Sequence, residues 1–527
     1  MIKAFRPARA LSFGVAGLLA VTVAACGSAG SSSQASDPVA TGKPQQGGTL
    51  TIGVQSQPLS GLDPIMAQAF NAKVIASQFY EGLLSLGQNG QLEPALATSW
   101  KEVSPLEYTF TLRKNVKFHN GDVLNAADVV YSLERIVNPK QDSPYETLYE
   151  LKSVTATSPD SVEIKLTAPQ PSLLSLLAQP WSGGIVDQAW METKSRNDLM
   201  TEENGTGPFK LVSYQPGAQI STARFAQYWD APEPYLDAVD YRVIPDESTL
   251  VQALQSGSVD MGQVSLPSDM QTLKGRGLDV GPSYQIGTEW MALNTLTGPL
   301  ANLKVREALS LGLNREQLIQ IASQGTGVLA STIPPADPNG CQMSSSSPNY
   351  SYNPTEAKQL LAESGQKNVT LSLQIQSGAT ESLQTVQLMK QQLSAIGITL
   401  NINVVPFNTL VNNLESGNWG SDMLTLTSAL NADASQYLAL WFAKGSPSTK
   451  VDSPQLWSMM NSALQETKGT AARKADYQNI CNYIAQNVDQ IVPFASPAYW
   501  DVWSPKLHNF DADVTQTRLY LKNAWLG

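Results

Sequence analysis

Two histidines and three cysteines are nearly all that this 527-residue sequence offers to nucleophilic or metal chemistry. His119 lies in an Asn-Gly-Asp turn and His508 near the C-terminus, and neither belongs to a His-x-x-x-His or Cys-x-x-Cys spacing that would hold a metal. The Gly-x-Ser-x-Gly elbow that exposes a serine nucleophile is missing. Ser364-Gly365-Gln366-Lys367 does spell the Ser-x-x-Lys of penicillin-recognising enzymes. It follows a helix end instead of opening a helix, and no Lys-Thr-Gly comes after it, so a capping turn is expected there. Gly205-Thr206-Gly207 could suggest a phosphate loop, but no Gly-Lys-Ser/Thr and no third glycine at dinucleotide spacing follows. No catalytic set remains, and neither cofactor nor metal is expected.

Aromatic surface is what the chain has in quantity: 11 Trp and 17 Tyr, with only 15% charged residues. Most large aromatics pack in cores, and a Trp needs a single acceptor for its N–H. A minority can line a cleft, and aromatic walls with a few amides and carboxylates suit an extended, partly polar ligand.

The N-terminus is separate from the rest. Lys3, Arg6 and Arg9 form a basic region, and Leu11 to Val23 an apolar stretch too short to span a bilayer well. Together they predict a secretory signal over residues 1–25. Val23-Ala24-Ala25-Cys26 looks like a lipobox, in which the Cys26 thiol receives diacylglycerol before cleavage. Residues 26–46 are mostly Ser, Gly, Ala, Gln and Pro and predict a flexible tether, which would let an acylated protein range over the outer face of a membrane. Cleavage leaves 31 basic against 45 acidic residues, a net charge of −14 that excludes a nucleic-acid partner. Two cysteines are then left over, Cys341 and Cys481; in an exported protein they most simply pair, and two small buried thiols are the alternative.

The elements follow from periodicity. Tyr108, Phe110 and Leu112 share one face of a half-buried strand, which Val116 and Phe118 continue. Asn120-Gly121-Asp122 is a turn, and Asn125 with Asp128 three residues later caps a helix whose buried stripe is Val129, Leu133 and Ile136. Gly48 to Val54 predicts a first strand and Val162 to Leu166 another; Asp246 caps a helix that ends at Gly257. Further on, Asn353-Pro354-Thr355-Glu356 opens a helix that stops at Gly365. Val369 to Ile375, a helix from Glu381 to Ile396, and Ile398 to Val404 then make a βαβ unit. There is no internal repeat.

Several of these stretches, in this order, resemble the bacterial extracellular solute-binding proteins of family 5, the peptide and nickel receptors of ABC importers. The stretches are Leu62-Asp63-Pro64, Tyr80-Glu81-Gly82, His119-Asn120-Gly121-Asp122 with its helix, Asn204 to Leu211, Gln255 to Asp260, Trp290 to Thr295, Val305 to Leu309, Asn314-Arg315-Glu316 and Ile491 to Phe494. The resemblance covers nearly all of residues 48–527. It implies a two-lobed α/β fold of the periplasmic-binding-protein kind, type II, with mixed sheets flanked by helices and an extra domain on the first lobe. The first lobe would comprise residues 47–82, 204–295 and 491–527, the extra domain 83–203 and the second lobe 296–490. The function implied is capture of oligopeptides between closing lobes, by a monomer working with an ABC permease and ATPase. A metal chelate, haem or saccharide is the alternative ligand, and a secreted hydrolase a remote third reading. Some peptide-binding relatives carry a disulfide of span similar to Cys341 and Cys481 in the corresponding lobe.

Peptide-binding members place a Trp-x-Ala-Asp segment in the second lobe, whose carboxylate pairs with the peptide's α-ammonium. Here Trp419-Gly420-Ser421-Asp422 satisfies it with Ser421 for Ala, and Ser428, Asn431 and Asp433 stand nearby. If Asp422-Met423 instead precedes a strand, the site falls at Thr427 to Leu430, with neither Trp nor Asp, and Asp433 becomes the repositioned carboxylate. Trp290 and Asn294, near the crossover between lobes, complete the expected ligand set.

Overall fold

The computed structural model describes residues 43–527 apart from 59–60, 68–69, 88–90, 142, 283, 286, 336, 338, 378–379, 430–433, 445, 447–451, 467–469, 488–490, 497 and 511–520. Cys26 therefore lies outside the described residues, as do Asn431 and Asp433.

Two large sheets carry the fold. The first has eight strands; seven run in the order Asp279–Val280, Ala498–Trp503, Met261–Val264, Thr49–Val54, Ala238–Val243, Gln219–Arg224 and Phe209–Gln215, and Tyr284–Gln285 pairs with Ala498–Trp503. Its centre is parallel, since Thr49–Val54 pairs in parallel with both Ala238–Val243 and Met261–Val264. The second sheet has five strands in the order Thr399–Val405, Thr370–Gln376, Met423–Ala429, Gly287–Leu293 and Ile491–Ala495. Helix Thr380–Ile396 joins the parallel strands Thr370–Gln376 and Thr399–Val405, and Gly397 leaves that helix at φ 99°, a left-handed conformation that costs glycine least.

Strand pairing changes sheets between Gln285 and Gly287, and back again between Ala495 and Ala498. These changes differ from the expected boundaries at 295 and 491. Trp290-Met291-Ala292-Leu293 is apolar on both faces, as a strand hydrogen-bonded on both sides and covered by helices should be. Met291 and Leu293 face one core of the second sheet, and Trp290 and Ala292 the other.

A third, antiparallel sheet of four strands, Ala97–Ser104, Glu107–Leu112, Ser161–Leu166 and Leu151–Ser158, carries helix Ala126–Ile136. The expected capping box is present: the Asn125 side chain accepts from the Ala127 amide at 2.8 Å, and the Asp128 carboxylate accepts from the Asn125 amide at 2.9 Å. Val129, Leu133 and Ile136 are buried against Tyr108, Phe110 and Leu112 in one core.

This third sheet is tied to the first at Gly205-Thr206-Gly207. A Cβ at Gly205 would lie 1.8 Å from the Phe79 carbonyl oxygen, so only glycine lets this backbone press on the end of helix Phe70–Phe79. Gly207 N–H then donates to that carbonyl at 2.8 Å. His119 clamps the turn from the other side: its Nδ1 lies 2.8 Å from the Glu203 carboxylate and its Nε2 3.0 Å from the Gly207 carbonyl. Both ring nitrogens face acceptors, so both bonds form only when both carry hydrogen. Below the turn, Thr206, Tyr228 and Trp229 all donate to the Glu81 carboxylate.

His119→Ala removes the side-chain bonds to the Glu203 carboxylate and the Gly207 carbonyl, while the Gly205 and Leu211 amides still donate to Glu203, and should cost about 1–3 kcal/mol in denaturant unfolding. Burial pushes the Glu81 carboxyl above the ordinary carboxylate value of 4.5, although the bonds from Trp229, Tyr228 and Thr206 pull it down. The folded state then holds a proton that the unfolded state releases, so stability declines as pH rises from about 4.5 through the raised value. Glu81→Gln should flatten that part of a stability-against-pH curve.

A candidate ligand cleft between the two sheets

The two chain crossings lie side by side. Ser496 Oγ donates to the Gly287 carbonyl, and Ser496 and Val328 exchange two backbone bonds of 3.0 Å. Gln324, the left-handed residue that ends helix Arg315–Ser323, reaches Ser268 beyond the first sheet at 3.3 Å. These crossings fix which edges of the sheets face each other. In the first sheet they are the carboxyl ends of Thr49–Val54, Ala238–Val243 and Met261–Val264; in the second, those of Thr370–Gln376, Thr399–Val405 and Met423–Ala429. The carboxyl edges of open α/β sheets are where ligands bind.

The edge of the first sheet is held rigidly. Glu247 accepts from the Ser265 amide at 2.8 Å, the Ser265 hydroxyl at 2.6 Å and the Leu266 amide at 3.3 Å, fixing the turn after Met261–Val264. Burial pushes its carboxyl up, and the Ser265 and Leu266 bonds draw it back. Asp63 caps the turn Pro64–Met66 and takes a two-pronged bond from Arg135 at 2.5 and 3.3 Å, both side chains being buried. Among the described residues no cluster of His, Cys, Asp or Glu could hold a metal ion, and no helix is long and apolar enough to cross a membrane.

The expected ligand residues divide by position along the second sheet. Ser428 pairs with Thr288 at the edge facing the first sheet. Asn294 and Asp422 stand at the opposite end, where the Asn294 amide donates to the Asp422 carbonyl at 2.9 Å. Seven residues of strand separate Gly287 from Asn294, roughly 20 Å. Moreover, the Asp422 carboxylate is engaged within the lobe: Oδ2 accepts from the Ser372 amide at 2.8 Å and from its hydroxyl at 2.7 Å. Trp290 and Trp419 are both buried in one core, Trp290 edge-on to Trp441 at 4.9 Å. The same core contains Cys341 and Cys481, joined in a disulfide with Cα atoms 6.4 Å apart. Constraining a loop of 140 residues in the unfolded chain contributes about 2–5 kcal/mol.

Thr288, Gln376, Ser377, Ser265 and Gln55, at the facing edges, were not singled out by residue type. For Gln55, Ser265, Gln376 and Ser377 the sequence signal is the position where apolar alternation stops at a strand's carboxyl end, whereas Thr288 stands at the start of its strand.

The profile of the bacterial extracellular solute-binding proteins, family 5 (middle), matches residues 91–449. The chain belongs to that family. The glutathione-binding protein GsiB of Salmonella choleraesuis is 30% identical over 349 residues, which is 65% of this chain and 67% of that protein. Among solved structures, the oligopeptide-binding protein AppA of Bacillus subtilis, in complex with a nonapeptide, superposes with a TM-score of 0.83 at 24% identity, over 92% of this chain and 100% of that one. The binding protein AgaA of A. tumefaciens R10, in complex with agropinic acid, gives 0.80 at 24% identity, over 91% of this chain and 99% of that one. The fold is thus the two-lobed, mixed α/β fold of periplasmic binding proteins, with sheets flanked by helices.

For this family 5 protein the Ser372 bonds give Asp422 a structural task in joining Thr370–Gln376 to Met423–Ala429. Asp422→Asn should lower stability by about 1–2 kcal/mol in chemical unfolding. Ligand affinity, read by calorimetric titration, should stay within about twofold.

Proposed function

We propose that this protein is the solute-binding component of an ABC importer and that it captures oligopeptides between its two lobes. The observation that carries the reading is the paired crossing at Gly287 and Ser496, which joins two sheets whose carboxyl edges face each other. A ligand touching both edges favours the closed state by its difference in affinity between closed and open forms. The permease and its ATPase would read that closed state. In this reading residues 83–203 are an extra domain of the first lobe, and the receptor works as a monomer. The similarity to AppA and GsiB supports a peptide-like ligand.

A non-peptide solute is the second reading. It is favoured by the place of Asp422, whose Oδ2 is held by Ser372 at the end of the second sheet away from the first, and by the similarity to AgaA. A buried ammonium without a counter-ion is costly, and Asp433 is the carboxylate we assign to it if the ligand is a peptide.

Cys26 is proposed as the lipid anchor, followed by a tether to about residue 46. Native mass spectrometry of protein purified from its own host should show a co-purified peptide mass; a carbohydrate or opine-like mass instead would favour the second reading. In the same host Cys26→Ser should move the protein from the detergent phase to the aqueous phase, and wild-type protein already aqueous would refute the anchor.

A further inference from the structure

Helix Ala434–Phe442 begins five residues after the carboxyl end of Met423–Ala429, so it rises from the facing edge of the second sheet. It is fixed to its own lobe by aromatic packing: Tyr437 is buried, and the Trp441 ring stands at 72° to Trp290. Yet this helix also touches the other side of the cleft. Ala439 packs against the core of the first and third sheets, and the helix lies against the turn Glu146–Leu148.

That turn is bound just as firmly to the edge of the first sheet. Tyr145 donates through its hydroxyl to the Ala67 carbonyl, and the Ser143 hydroxyl to the Ile65 carbonyl at 3.4 Å. Arg135 holds Asp63 in the same segment, which follows the carboxyl end of Thr49–Val54. Each side of the contact is therefore anchored to a strand edge that faces the cleft.

We propose that this contact closes one end of the cleft and restricts the receptor to short peptides, with Ala439 and Leu148 as specificity-determining residues. The inference rests on the reading that the ligand is a peptide lying between the lobes. A longer chain could leave the closed cleft at this end only by passing between the helix and the turn. Doing so would separate Ala439 from the core it packs on, and would disturb the Trp290–Trp441 pair on one side or the Tyr145–Ala67 and Ser143–Ile65 bonds on the other. Every residue beyond the cap therefore weakens closure instead of adding contacts.

The test has two arms, both on the full mature chain. In the first, Ala439→Cys with Leu148→Cys is oxidised in native protein and the new cross-link is read by peptide mapping. It should form, and its failure to form overturns the contact whether or not any peptide binds. In the second, synthetic peptides of about two, three, five and nine residues are titrated into wild type and Ala439→Glu, with melting curves to confirm folding; the wild type should bind the nonapeptide at least about tenfold more weakly than the best short peptide, and the glutamate wedge should reduce that ratio to under about threefold. Equal wild-type affinity at all lengths overturns the length limit alone and leaves the receptor reading intact. No binding at any length, with the cross-link formed, overturns the peptide reading and the length limit with it.

Discussion

The closeness with which one turn meets one helix end governs the first lobe. Gly205 and Gly207 bring their backbone onto the carbonyls of Gln78 and Phe79, where any larger residue at either place would collide. Once there, the turn is a junction of three parts of the chain. Asn204 and Asn120 both donate to Asp187 at 2.9 and 2.8 Å, His119 bridges Glu203 and Gly207, and strand Phe209–Gln215 enters the large sheet directly afterwards. Burying so many polar groups stabilises the fold only because each one has its partner; removing one exposes the cost of desolvating the next. The position of the four-stranded sheet relative to the eight-stranded one is set here, and with it the height at which the turn Glu146–Leu148 stands beside the cleft.

The second lobe uses a different device. Its cleft-facing strand Gly287–Leu293 is buried on both sides by large apolar residues, so the crossing segment that precedes it emerges from a rigid support. Such an arrangement suits capture and release. It supplies two packed walls joined by a short connection, with polar groups at the facing edges.

Much of the architecture was legible because it rests on local rules. The alternation of Tyr108, Phe110 and Leu112, the Asn125 and Asp128 capping box and the left-handed glycines at 257, 365 and 397 each express a short-range constraint, and each has its counterpart in the structure. The ligand residues were less legible, because whether a side chain faces a cleft depends on which end of a strand it occupies. Asp422-Met423 does precede a strand, so of the two alignments open in the sequence, the one that puts Thr427 and Ser428 at the facing edge agrees with the strand register. A carboxylate beside a tryptophan has the same composition whether it binds an ammonium or a serine amide, and for Asp422 the structure shows the Ser372 bonds. Family resemblance marks segments and not the point where hydrogen bonding changes sheets, so the crossings themselves had no signal in the sequence.

Part of the aromatic supply that first suggested a cleft goes into making one wall stiff. Trp290, Trp419, Tyr437 and Tyr477 share a core with the Cys341–Cys481 disulfide, and helix Ala434–Phe442 is mounted on that core through Trp441. Large rings lose few rotatable bonds when they are buried and resist displacement by their bulk, so a helix seated on them keeps its position when the lobes move. If the lobes close as proposed, a stiff mount would deliver Ala439 to the same place each time. If the helix were mounted on small, mobile side chains, closure could adapt to a ligand of any length, and the cleft could not discriminate at that end.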